Sequence, residues 1–169
     1  MTEPIDGNAI VYCEGAFNTP NGKTAQLDII KHPPSVTVLP LDDEGYIWFI
    51  RQYRHAAGVE ILELPAGVVE SGEAPETCAR REIREETGMS AAEIQLLGEF
   101  YLVPGYSSEY MYVYLVKELQ PDPLPGDEDE FITVERISVE AAYQMAETGE
   151  IRDVKSIAAL LLAAPHLKR

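Results

Sequence analysis

One stretch of thirteen residues, Pro75 to Thr87, constrains the fold most: it is a strong helical pattern set in the middle of a chain otherwise cut into short β-prone runs. Pro75 suits the first helical turn, where its missing N–H is not needed, and Gly88 suits the position just past the end. Before this helix, residues 9 to 17 and 23 to 31 are β-prone and flank Asn18-Thr19-Pro20-Asn21-Gly22, whose Asn-Gly is a hairpin signal. Val36 to Pro40 opens the main body. Tyr46 to Ile50 reads as a buried strand led in by an acidic turn, and Ile61 to Leu64 as a short strand stopped by Pro65. After the helix, strands are expected near Ile94 to Leu102, Tyr110 to Val116 and Phe131 to Ile137, then helices over Val139 to Glu147 and Val154 to Ala164. Gln120 to Glu130, rich in proline and acid, reads as a loop. Strands on both sides of one central helix make a mixed α/β single domain, and 169 residues suffice for one such unit.

The charge balance excludes whole classes of partner. Thirteen basic residues against 29 acidic ones leave a formal charge of -16, a field that repels nucleic acid and anionic membranes. A phosphate-bearing substrate would need a local reversal of sign, which a divalent cation supplies. The N-terminal residues lack the basic and apolar regions of a signal peptide, and the apolar run Ile157 to Pro165 is less than half of the roughly 20 residues a membrane span needs. Cys13 and Cys78 form no disulfide framework, so both are expected as reduced thiols in a cytoplasmic protein, Cys78 as a small buried hydrophobe.

The central helix carries Glu82, Glu85 and Glu86. Positions three and four apart share a helix face, so these carboxylates gather, with Arg80, Arg81 and Arg84 tempering their repulsion. A lone triplet of this kind is usually a solvated acidic face. Its neighbours change that reading: Gly67, five residues, Glu73, seven residues, then Arg81-Glu82-Ile83-Arg84-Glu85-Glu86-Thr87-Gly88-Met89. Seven positions specified as Gly, Glu or Arg and two apolar ones, tried at every start, coincide by chance with odds on the order of 10⁻⁷. Physically, Gly67 lets backbone approach a metal or phosphate with no Cβ in the way. Glu73 can pair with Arg81 and tie the loop to the helix. Glu82 and Glu86, one turn apart, offer hard oxygens to Mg²⁺, which takes one or two carboxylates plus phosphate oxygens.

These residues resemble the Nudix hydrolases at each defining position of the family's box, and most closely the ADP-ribose pyrophosphatase subgroup. The resemblance implies an α+β type of α/β fold, a mixed β-sheet sandwiched between helices, with an antiparallel β arm over residues 1–35 and a catalytic domain over 36–169. Leu64-Pro65-Ala66-Gly67 is similar to the family's lead-in, where the alanine carbonyl is a metal ligand, so Ala66, Glu82 and Glu86 become the expected ligands and Glu85 a ligand or a partner of one. Pro104, sixteen residues beyond Gly88, and Val103-Pro104-Gly105-Tyr106-Ser107-Ser108-Glu109 look like the subgroup marker, which adds Gly105 and Glu109 to the substrate side. Arg51-Gln52-Tyr53-Arg54 is similar too: Arg54 becomes either a phosphate or ribose contact or a surface ion pair, and Arg51 joins it as a substrate residue. Alignment on Phe131-Ile132-Thr133-Val134 puts the general base on Glu130, with Glu128 second and Glu85 a further candidate. The implied activity is Mg²⁺-dependent cleavage of ADP-ribose to AMP and ribose 5-phosphate, with Mn²⁺ as a possible replacement. Other nucleoside diphosphate sugars or dinucleotides, or a non-catalytic nucleotide sensor, are the alternatives. A homodimer exchanging the arm is implied as well, with Tyr12 or Phe17 stacking on adenine.

Overall fold

The computed structural model describes residues 10–126 and 131–167. Its first two strands, β1 (Val11–Asn18) and β2 (Thr24–Lys31), pair antiparallel as the expected hairpin. Gly22 closes the turn at φ 78°, a left-handed conformation that glycine adopts without strain, and its N–H donates to the Thr19 carbonyl at 2.9 Å. The hairpin is tied down by the loop of the Pro-Gly segment: Ile30 N–H donates to Tyr106 O at 2.7 Å and Ser108 N–H to Ile30 O at 2.9 Å.

Seven further strands form two sheets. The mixed sheet runs β6-β3-β8-β7, from β6 (Ala66–Val68), β3 (Ser35–Pro40), β8 (Tyr110–Pro121) and β7 (Met89–Tyr101). Here β3 and β8 are parallel, and the other two pairings are antiparallel. The antiparallel sheet runs β5-β4-β9, from β5 (Val59–Glu63), β4 (Tyr46–Arg54) and β9 (Ile132–Ser138). Alternation along the two central strands of the mixed sheet builds a core on each face. Val36, Val38, Tyr114 and Val116 face the helix α1 (Pro75–Thr87) and meet Cys78, Ala79 and Ile83. Leu39, Met111, Val113 and Leu115 face the other way, onto Ile47 and Phe49 of β4, Ala142 of α2 (Val139–Thr148) and Leu160 of α3 (Val154–Ala163). The sheet is therefore sandwiched between helices, as expected.

Several boundaries differ from the sequence reading, each for a pairing reason. Gln120 and Pro121 belong to β8 rather than to a loop, because they find Ser90 and Met89 opposite, and a proline is tolerated at the end of a strand. The partner β7 starts at Met89, directly after the helix cap. Phe131 lies outside β9 and is 83% exposed, since pairing with β4 begins only at Ile132 opposite Gln52. Ser35, counted with the arm, opens β3, and the three-residue β6 beyond Pro65 was not expected at all. Among the described residues no helix is long and apolar enough to cross a membrane.

Candidate active site

Helix α1 starts at Pro75 and ends at Gly88, which is left-handed at φ 72° and returns its N–H to Arg84 O at 3.1 Å. Its inner face carries two neighbouring stripes. Ala79, Ile83 and Thr87 fill one; Cys78, Glu82 and Glu86 fill the other, so the apolar anchoring of the helix presses two carboxylates inward. Glu82 is 8% exposed and Glu86 7%, which rules out the solvated acidic face. Cys78 is the expected buried hydrophobe, its thiol pushed far up chiefly by burial and then by Glu82.

Partners for these acids come from both sides. Ala66 N–H donates to Glu86 Oε2 at 3.0 Å. Arg81 is the hub of the rest: it donates to Glu82 Oε1 at 2.6 Å, to Glu85 Oε2 at 2.8 Å and with two nitrogens to Glu73, each at 3.1 Å. The expected Glu73–Arg81 tie is thus present, and Glu73 also accepts Glu70 N–H at 3.0 Å, closing the loop ahead of the helix. Burial alone would raise the Glu73 pKa, but its hydrogen bonds from Arg81 and Glu70 hold it below the ordinary value. Gly67 has a sharper role than backbone access to a metal or phosphate: a Cβ there would lie 1.8 Å from Glu82 Oε1. The glycine reserves the space that the Glu82 carboxylate occupies.

A cleft of about 400 Å³ opens beside this pair, lined by Ala66, Gly67, Arg54, Glu63, Glu109 and Lys155 among others. Glu109 accepts the Ser35 hydroxyl at 2.8 Å and faces His32 at 4.0 Å. Arg54 reaches the cleft but does so from an ion pair, donating Nε and Nη2 to the two oxygens of Glu63 at 2.7 and 2.8 Å. Arg51 is on the other face of β4, since an odd spacing in a strand reverses direction, and it pairs with Glu135 at 2.6 Å. Gly105 sits on an exposed turn and does not line the cleft, and neither does Tyr12 or Phe17. Glu130 and Glu128 lie outside the described residues.

Four residues of this site escaped the sequence reading: Glu63, Asp153, Lys155 and Ser156. Lys155 bonds Glu63 and lies 3.1 Å from Asp153, which caps α3 by accepting Ser156 N–H at 3.0 Å. The Ser156 hydroxyl then accepts Leu64 N–H at 2.7 Å, pinning the strand just ahead of Ala66. A lysine and a serine inside an otherwise apolar helix, behind an Asp cap, were the available signal. Burial pushes the Glu63 carboxyl up, but hydrogen bonds from Arg54 and the charge of Lys155 outweigh it and hold the pKa below 4.5. A depressed carboxyl stabilises the fold fully above its unfolded pKa and less as pH falls through the folded one. The thermal midpoint is therefore expected to fall once pH drops below 4.5, the ordinary value for Glu63 and Glu73, and to fall less steeply in Glu63→Gln. Melts from neutral pH down through that value check this; equal steepness in both proteins removes Glu63 as a source.

Two buried carboxylates on a helix, set against a glycine-bearing backbone and facing a cleft that holds an arginine, define a site suited to phosphate chemistry with a hard cation. Residues 31–160 match the NUDIX domain, and the chain belongs to the Nudix hydrolase family. It is similar to the ADP-ribose pyrophosphatase of Bacillus subtilis (strain 168), 40% identical over 143 residues that cover 83% of this chain and 77% of that protein. It is also similar to the methanol dehydrogenase activator of Bacillus methanolicus, 35% identical over 143 residues with the same 83% and 77% coverage. A solved structure titled ADP compounds hydrolase shares the fold, with a TM-score of 0.82 at 22% identity over 98% of this chain and 88% of that one.

Nudix hydrolases use divalent metal ions, and the residues here fit one. Among the described residues no three acidic, histidine or cysteine side chains converge as a ready-made cage. Magnesium does not need one, because it is bound through one or two carboxylates with phosphate oxygens and waters completing its shell. The hydrogen bond from Ala66 to Glu86, together with the space that Gly67 leaves for Glu82, puts hard oxygen donors from the helix beside the backbone of Ala66.

Proposed function

We infer that this enzyme hydrolyses the diphosphate of ADP-ribose, giving AMP and ribose 5-phosphate, with Mg²⁺ held by Glu82, Glu86 and the Ala66 carbonyl. The observation that carries the reading is the placement of two buried carboxylates against Ala66 and Gly67, which line one cleft with the cationic Arg54, in a chain of charge -16. The name of the Bacillus subtilis relative supports the choice of substrate. The bound cation supplies positive charge against the two phosphates and makes the attacking water more acidic. Around it the chain's own groups divide the work. Arg54 offers a guanidinium edge to a phosphate, Glu109 offers a carboxylate to sugar hydroxyls, and Arg81 keeps Glu82 and Glu85 in place. Glu130 takes the water proton as its oxygen bonds to phosphorus and the bridging P–O bond breaks, with Glu128 or Glu85 next in order for that role. Glu85 already engages Arg81, which counts against it.

A substrate panel with Mg²⁺ and with Mn²⁺ tests the reading. ADP-ribose is expected to give AMP and ribose 5-phosphate faster than GDP-sugars or dinucleotides react; preference for one of those moves the substrate, and no hydrolysis of any diphosphate removes the reading. Hydrolysis in ¹⁸O-water identifies the phosphorus attacked. A homodimer through the hairpin belongs to the same reading, supported by exposed Ile10, Tyr12 and Leu27. Sedimentation of the same preparation decides it, and a mass of one 18.7 kDa chain excludes it.

A further inference from the structure

Arg54, Glu63, Lys155 and Asp153 form a chain of alternating charge that enters the cleft from α3. Asp153 is fixed at the α3 N-terminus by Ser156 and lies 3.1 Å from Lys155 Nζ. Lys155, 8% exposed, reaches the Glu63 carboxylate, which is 1% exposed. Glu63 spends both oxygens on Arg54, Nε to one and Nη2 to the other. At the cleft end the Arg54 side chain is 39% exposed, and its third nitrogen, Nη1, makes no hydrogen bond to the described residues.

The order of charges matters more than their number. A buried carboxylate with a single cation forms a closed neutral pair, and an arginine locked into it is a poor anion binder. Here Glu63 divides its charge between two cations. Arg54 is held edge-on, so its geometry is fixed, yet its charge is only partly consumed. Without Lys155, both Glu63 and Asp153 would draw on Arg54 alone, and the cleft would lose one positive charge. We propose that Lys155 is a positioning residue: it shares the Glu63 carboxylate so that Arg54, clamped on one edge, presents the other edge to the diphosphate of the substrate. This rests on the reading that a nucleoside diphosphate binds in the cleft, and it assigns to a helix residue at the cleft wall a role exerted through Arg54.

The test is a set of variants assayed with ADP-ribose and Mg²⁺, or with whichever diphosphate the panel selects. Lys155→Met keeps length and removes charge; it should raise KM about tenfold while kcat stays within about threefold. Lys155→Arg restores the charge and should return KM to near the parent value. The decisive comparison is made in an Arg54→Ala background, where Lys155→Met should change KM less than about twofold, because the residue it acts through is gone. A purely structural lysine would cost the same in both backgrounds, and thermal melts of each variant without substrate report any such loss of fold. An unchanged KM in Lys155→Met, or an equal cost with and without Arg54, overturns the positioning role while leaving the functional reading intact. A parent enzyme inert towards every diphosphate overturns that reading and this role with it.

Discussion

Glu86→Gln is expected to lower turnover by about 10²- to 10³-fold, with a thermal midpoint close to that of the parent. The two halves of this expectation have separate causes. Glu86 is buried and accepts Ala66 N–H at 3.0 Å, a bond that the amide oxygen of glutamine can also accept. The local structure therefore survives. What disappears is a buried negative charge, whose removal from water costs free energy that its attraction to Arg54 offsets in part. A metal ligand lost in this way should also raise the Mg²⁺ concentration needed for half-maximal rate. Glu82→Gln should behave alike, although Arg81 then loses one of its carboxylates. Glu130→Gln, in contrast, should lose rate with the Mg²⁺ requirement unchanged, because a base acts on the water rather than on the ion. Steady-state assays across a magnesium titration, with circular dichroism to confirm folding, read all three. If Glu82→Gln and Glu86→Gln both turn over like the parent, the metal site lies elsewhere.

Gly67→Ala should separate function from stability even more cleanly. Its added Cβ would fall 1.8 Å from Glu82 Oε1 and 2.0 Å from Cδ, distances no real structure tolerates. Gly67 is not left-handed, so the backbone itself accepts alanine without strain. What must move is the end of a flexible side chain, which rotates at modest cost. Little stability is expected to be lost, about 1 kcal/mol or less, while the displaced carboxylate should lower turnover by about 10²-fold. Unfolding in urea and initial rates on the same preparation provide the check. A variant that keeps its rate would mean that the position of Glu82 seen here is not the working one. A variant that unfolds would mean that β6 cannot yield at all.

The central helix shows how far local patterning reaches. Pro75, Gly88 and the three- and four-residue spacing of Glu82, Glu85 and Glu86 are short-range features, and the helix begins and ends where they say. The Glu73–Arg81 tie spans eight residues and was also legible, because a loop entering a helix must pass over its first turns. Strand ends were less legible. Pairing partners decide them, so Gln120 and Pro121 were drawn into β8 by Met89 and Ser90 despite a loop-like composition. Arg51 and Arg54 were grouped on resemblance although their odd spacing, in a strand that runs through both, sends them to opposite faces.

The amino-acid order by itself determined the acidic helix, its caps and the glycine ahead of it, because helical geometry relates residues a few positions apart through a fixed 3.6-residue period. Only the tertiary structure decided which arginine enters the cleft and what restrains it. Glu63 and Lys155 are 92 residues apart, and no periodicity links them. Their meeting follows from α3 packing on the same sheet that α1 covers from the other side, and that arrangement is settled by burial of the whole core, which no single segment encodes.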